Sequence, residues 1–233
     1  MSKTNKIKQK TTGFDILYRV VTAIIAIIIY PIFYFADILT IAISHTDISD
    51  LLNKFTGNNE LHVTDESISL HELPTFINLF SGFTNDEFDF KASVLQNEMY
   101  TPVIVAVVFI AIALVLGLVI LGFAIFSNKV KVITALSGAG FLSTIAAYIS
   151  FSFFANPLLS GEVTLSQLLN IDGIIMSAVI GFLGEVTVFT LDTAFFGVMF
   201  AMLAILAWSV SVLIVNKSEE KEKAMKEAAR KNR

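Results

Sequence analysis

Apolar residues run almost unbroken through four stretches of this chain, and charged residues collect between and beyond them. Each stretch reaches the roughly 20 residues that cross a bilayer core. The pattern predicts a tail at 1–13, a first span at 14–44, a polar segment at 45–101, a second span at 102–126 and a turn at 127–131. A third span at 132–155, a second polar segment at 156–192, a fourth span at 193–216 and a charged tail at 217–233 follow. Thr101-Pro102 reads as the N-cap and first position of the second helix, and Asp192 or Thr193 as the cap of the fourth. The predicted fold class is an all-α membrane protein, a four-transmembrane-helix bundle with a small extracytoplasmic α+β cap.

The stretch 171–191 is apolar enough to suggest a fifth crossing. Parity argues against it, because a fifth crossing places a tail with seven Lys and Arg on the outer side. Asp172 and Glu185 also require burial in lipid. The expectation is a surface or re-entrant helix followed by a short strand at 186–189. In the first polar segment, 61–70 partly alternates and predicts strand, with Asn58-Asn59 as a turn before it. Leu73, Phe76, Ile77 and Phe80 fit one helical face, and 86–99 suits another short helix.

Charge sharpens the picture. The chain has 233 residues, 55% of them hydrophobic, and carries a net charge of −4. Its mean hydropathy of +0.75 is too high for an ordinary soluble domain. The net charge averages two unlike surfaces. Lys3, Lys6, Lys8, Lys10 and Arg19 lie at the N-terminal end, Lys129 and Lys131 in the turn, and Lys217, Lys221, Lys223, Lys226, Arg230, Lys231 and Arg233 in the C-terminal tail. The long polar segment carries ten Asp and Glu against Lys54 and Lys91. Such sorting is what the positive-inside rule produces, and it predicts both termini in the cytoplasm. Composition points to a bacterial plasma membrane. The N-terminal apolar run exceeds the 7–15 residues of a signal-peptide core, so an uncleaved anchor is expected.

Little in the chain carries soluble chemistry. With no cysteine there is no disulfide, thiol nucleophile or cysteine metal site. His45, His62 and His71 lack the spacing of a zinc set. Asp86, Glu87 and Asp89 do not match an EF-hand, and there is no phosphate loop, nucleophile elbow or dinucleotide fingerprint. No catalytic residue, metal, cofactor or nucleic-acid partner is expected. Spans two to four contain no charged residue, which disfavours proton relays and ion pathways.

Two features of the spans merit attention. Asp37 lies eighteen residues beyond Arg19 on the first helix, near the outer headgroups, and Pro31 before it kinks the helix to leave a candidate polar niche. Ala135, Ala139, Ser143 and Ala147 in the third span, with Gly197, Ala201 and Ala204 in the fourth, have helix-packing spacing. They serve either the bundle itself or self-association. Thr134, Ser137, Thr144 and Tyr148 form the one polar stripe that suits a pore.

The order of short tail, span, long outer loop, span, tight turn, span, shorter outer loop, span and tail resembles the claudin-like tetraspans and channel-auxiliary subunits. That resemblance implies a small outer sheet from the first loop, joined by a strand from the second. The claudin signature needs a Trp and a Cys pair in the first loop. This loop has neither, and the only Trp is Trp208. The layout is shared architecture, not family membership. It also resembles the four-span permeases of bacterial cell-division and lipoprotein-export ABC systems, which require a cytoplasmic coupling element absent from the short 127–131 turn. The expected function is a membrane scaffold or accessory subunit, in lipid, presenting an acidic cap to a membrane-protein partner or a second copy. The alternative is a transport component, as an oligomeric pore or permease-type subunit.

Overall fold

The computed structural model describes residues 13–43, 65–72, 100–127, 129–163 and 186–231. Four helices dominate: α1 (Gly13–Phe35), α2 (Thr101–Phe126), α3 (Val130–Leu159) and α4 (Thr193–Lys231). Three strands accompany them: β1 (Asp37–Ile43), β2 (Asp65–Ser69) and β3 (Val186–Leu191). All four helices are long and apolar enough to span a membrane. The predicted helices at 73–80 and 86–99, the Asn58-Asn59 turn and the helix within 171–185 lie outside the described residues, as do Lys3, Lys6, Lys8 and Lys10.

The helices form a ring in which each neighbours the next and α4 closes against α1. Connections alternate direction, giving an up-down-up-down bundle. Its packing follows from the spacing of buried residues. On α3 the buried positions include Val130, Ile133, Ser137, Gly140, Thr144, Ala147, Phe151, Phe154 and Leu158, alternating steps of three and four. On α4, Val198, Met202, Ile205, Ser209 and Val212 repeat the pattern. A repeat averaging 3.5 residues keeps one seam on the partner when helices cross at a shallow left-handed angle. Outward positions such as Val107, Val115, Leu118 and Leu142 stay exposed and apolar, a surface that suits lipid.

Glycine allows the closest approaches. A Cβ on Gly197 would lie 2.7 Å from Ile32 Cγ2, and one on Gly140 would lie 2.9 Å from Met202 Sδ. At the end of α3, Gly161 takes φ of 73°. The backbone N–H groups of Ser160 and Gly161 bond to the carbonyls of Asn156 and Leu158. Left-handed glycine there ends the helix without the steric cost of a side chain.

The first span departs from expectation. The helix stops at Phe35, and Asp37–Ile43, assigned by hydropathy to a span reaching residue 44, is a strand. β1 is the middle of a three-stranded antiparallel sheet in the order β2-β1-β3. Its sequence DILTIAI is rich in β-branched residues, which suit a pleated surface as well as they suit lipid. Hydropathy alone cannot separate the two uses. The predicted strands at 61–70 and 186–189 appear as β2 and β3, yet they do not pair with each other. Each pairs with β1, Thr40 standing opposite Ser67 on one side and Thr190 on the other.

The sheet packs on one end of the bundle. Leu191 and Phe195 form a second core with Ala106, Ala147, Phe151 and Ala155. Phe189 of β3 lies 5.3 Å, ring to ring, from Phe151 and 5.7 Å from Phe154. The fourth helix also outlasts its span. It continues through the charged tail to Lys231, and Lys226 pairs there with Glu222 one turn back.

Candidate functional site

Few polar groups lie inside the bundle, and nearly all are engaged with one another or with backbone. At one end, the Tyr18 hydroxyl of α1 meets the Ser209 hydroxyl of α4 at 2.9 Å. The Tyr18 ring stacks on Trp208 with centroids 6.5 Å apart. Thr22, one turn along α1, is fully buried beside them, and its hydroxyl has no hydrogen-bond partner among the described residues. Midway along, the Tyr30 hydroxyl donates to the Leu114 carbonyl of α2 at 2.8 Å. Gly117 makes that approach feasible, since a Cβ there would stand 3.0 Å from the Tyr30 oxygen. At the sheet end, the Ser150 hydroxyl donates to the Pro102 carbonyl at 2.8 Å.

The Thr and Ser hydroxyls of the stripe that suited a pore are engaged by their own helix. Thr134 donates to the Val130 carbonyl, Ser137 to Thr134 and Thr144 to Phe141, all within α3. Ser137 and Thr144 are buried against neighbouring helices, while Tyr148 is exposed and stacks on Phe195 at 6.3 Å. Hydroxyls bonded to their own helix leave little to hydrate a channel.

The small residues divide. On α3, Ser143 and Ala147 are buried but Ala135 and Ala139 face outward. On α4, Gly197 abuts Ile32 and Ala201 packs on the core, whereas Ala204 is exposed. Geometry explains the split. Each step of four residues advances about 40° around a helix, so a line of such steps winds off any one face. The buried seam keeps the mixed three-and-four rhythm instead.

Arg19 does more than the sequence indicated. Its Nε donates to the Ala124 carbonyl of α2 at 2.8 Å, and its Nη2 donates to the Ile125 carbonyl. Those carbonyls belong to the last turn of α2, which lacks successors to bond them. A guanidinium there also faces the negative end of the helix dipole. The signal was legible only as a cation near a helix start; its target 105 residues away was not.

Asp37 does not sit in a helical niche. It is the first residue of β1 and stands opposite Ser69. Pro31 lies exposed within α1, which continues past it to Phe35. The polar focus at this end is Asp192, the residue before α4. One carboxylate oxygen accepts from the Thr40 hydroxyl of β1, and the other from the Thr193 N–H and hydroxyl at 2.6 and 2.8 Å. The Thr40 hydroxyl, followed by that of Thr193, holds this carboxyl below the usual aspartate range. Asp192 holds the N-cap position by its backbone, its carbonyl accepting from the Phe196 N–H, while its side chain bonds the first helical residue and ties the sheet to the helix. Nearby, Ser69 donates to the Glu72 carboxylate at 2.6 Å and lies 2.8 Å from His71 Nδ1. Ser69 lowers the Glu72 carboxyl in the same way. His71 packs by Tyr34 and Phe35, with centroids 6.1 and 5.9 Å away. Ser69 is buried, and His71 and Glu72 beside it are exposed.

Charges are sorted along the bundle. Arg19, Lys129, Lys131 and Lys217 lie at one end with Asp15, while Asp37, Glu72, Glu162 and Asp192 lie at the sheet end. Lys221 and Lys223 belong to the extension of α4 beyond its apolar part. Among the described residues, no three His, Asp or Glu side chains gather as a metal site would require.

No protein-family model, curated protein or solved structure matches the chain. The layout shared with claudin-like tetraspans and ABC permeases thus rests on element order alone.

Proposed function

We propose that the chain is an integral membrane scaffold or accessory subunit with both termini in the cytoplasm. It presents the acidic sheet end to a membrane-protein partner or a second copy and performs no catalysis of its own. The sorting of charge supports the orientation, because cations stay on the side from which insertion begins. The plasma membrane of a bacterium is the location that composition favours.

The observation that carries the functional reading is the engagement of the bundle's interior. Residues 103–126, 132–159 and 193–216 contain no charged side chain. The hydroxyls of Thr134, Ser137 and Thr144 on α3 bond within their own helix. A pump needs ionisable groups at membrane depth and a pore needs a wettable wall. A scaffold needs neither, and gains from a rigid interior and a distinctive outer surface.

Purification in mild detergent, followed by identification of co-purifying membrane proteins and measurement of mass, tests the proposal. Retention of a partner subunit or a stable oligomer is expected. A partnerless monomer would count against an accessory role. Ion flux through reconstituted liposomes would favour the transport alternative.

A further inference from the structure

We propose that the groove between α1 and α2 at the basic end binds one anionic phospholipid, its phosphate on Arg19 and an acyl chain along α1. The inference rests on the membrane location proposed above, not on the accessory role.

The groove has a volume of about 280 Å³ and is lined by Ile16, Arg19, Val20 and Ala23 of α1 with Ala124 and Ile125 of α2. The α1 residues fall at steps of three, four and seven, so they share one face. Ile16, Val20 and Ile125 are about half exposed. In a membrane that exposure is to lipid, and five of the six lining residues are apolar.

The sixth supplies the headgroup contact. Guanidinium carries five N–H groups in a planar fork. Arg19 commits Nε and one Nη2 N–H to the end of α2. Both Nη1 hydrogens and the second of Nη2 remain uncommitted among the described residues. One Nη1 hydrogen and the remaining Nη2 hydrogen form the end-on edge of the fork, the geometry that grips two phosphate oxygens at once. The bonds to α2 hold the guanidinium in place, so little ordering remains for a lipid to impose.

Depth and charge agree. Arg19 is four residues past Asp15, where the spanning segment of α1 starts, which is about 6 Å along the axis. A guanidinium one turn into the span reaches back to the headgroups, while Val20 and Ala23 carry the lining toward the hydrocarbon and Ile16 lies on the tail side. The end of the α2 dipole offsets roughly half of one positive charge. Lys129 and Lys131, both exposed, stand at the start of the next helix on the same end. Basic residues beside anionic headgroups each favour binding. A lipid satisfies phosphate and lining together, whereas free phosphate satisfies only the guanidinium.

The test uses the full chain in a neutral detergent, with dioleoylphosphatidylglycerol, dioleoylphosphatidylcholine or inorganic phosphate added. Bound lipid is read by native mass spectrometry and stabilisation by thermal unfolding. Selective retention of phosphatidylglycerol and a raised Tm are expected, with no effect of phosphate. Val20→Phe fills the groove from a lipid-facing position and leaves Arg19 untouched. It should weaken retention about ten-fold, as should Arg19→Gln through loss of a charge-assisted bond. If Arg19→Gln fails to fold, Val20→Phe and Ile16→Phe carry the test. Equal retention of both lipids, full competition by phosphate, or unchanged retention in Val20→Phe would overturn the site. A chain that stays dispersed without detergent would overturn the membrane location too, which separates the two failures.

Discussion

The hydroxyls of Tyr18 and Ser209 meet at 2.9 Å although 191 residues separate them in the chain. They join the first turns of α1 to the far part of α4 and so close the helical ring. Both residues are fully buried, where an unmatched hydroxyl is costly. Tyr18→Phe and Ser209→Ala should each destabilise the bundle by about 1 kcal/mol, and the double variant by less than the sum. Chemical unfolding in detergent, read as a double-mutant cycle, measures the coupling; strict additivity would refute the bond.

A second prediction concerns the α1–α4 contact. Gly197 faces Ile32 Cγ2 at a distance that leaves no room for a Cβ, and a β-branched side chain cannot swing aside freely. Gly197→Ala should cost about 1–3 kcal/mol through overpacking. Trimming the opposing residue in the pair Gly197→Ala/Ile32→Ala should recover part of that loss. Gly138→Ala, whose Cβ would meet Leu206 at 3.7 Å, should be tolerated. Equal losses at both glycines would contradict the packing described.

The join between sheet and helix should respond to acid. Asp192 has its carboxyl pKa lowered by the Thr40 and Thr193 hydroxyls. Its contribution to stability is therefore present above the unfolded-state pKa of about 4, and is lost as pH falls through the lower folded value. Hydrogen exchange at β1 and β3 should speed up across that acid range. Asp192→Asn should flatten the response, and Thr40→Val should shift its midpoint upward. An acid response unchanged in Asp192→Asn would assign it to another carboxyl.

The absence of cysteine makes the membrane orientation testable with single labels. Ser67 on β2 and Ser218 on the extension of α4 are both exposed. Ser67→Cys should react with an impermeant maleimide on intact cells, and Ser218→Cys only after the membrane is opened. Labelling of both from outside would overturn the four-span arrangement.

Much of the architecture was legible along the chain, because lipid imposes a crude length and polarity requirement that each span meets alone. The helices at 102–126 and 132–155 appear with small extensions, that at 193–216 continues through the charged tail to Lys231, and the strands at 61–70 and 186–189 lie within a few residues of β2 and β3. Asp192 occupies the N-cap position that its place before α4 implied. Legibility ended where two environments ask for the same residues. Asp37–Ile43 is apolar and β-branched, which suits both a membrane helix and a central strand, and only the presence of β2 and β3 on either side decides for the strand. The small residues at intervals of four were readable as a motif but not as a surface. Whether Ala139 or Gly140 meets the neighbour depends on how α3 is rotated by everything packed against it.

Arg19 shows the same division at a single residue. Its charge, read beside the other cations, places it at one end of the bundle by a rule that concerns insertion. Its partners, the carbonyls of Ala124 and Ile125, arise only when α2 comes back antiparallel beside α1. Composition and periodicity act locally and set where each segment is stable. Contacts between distant segments depend on helix rotation and strand order, and these follow from the packing of the whole chain at once.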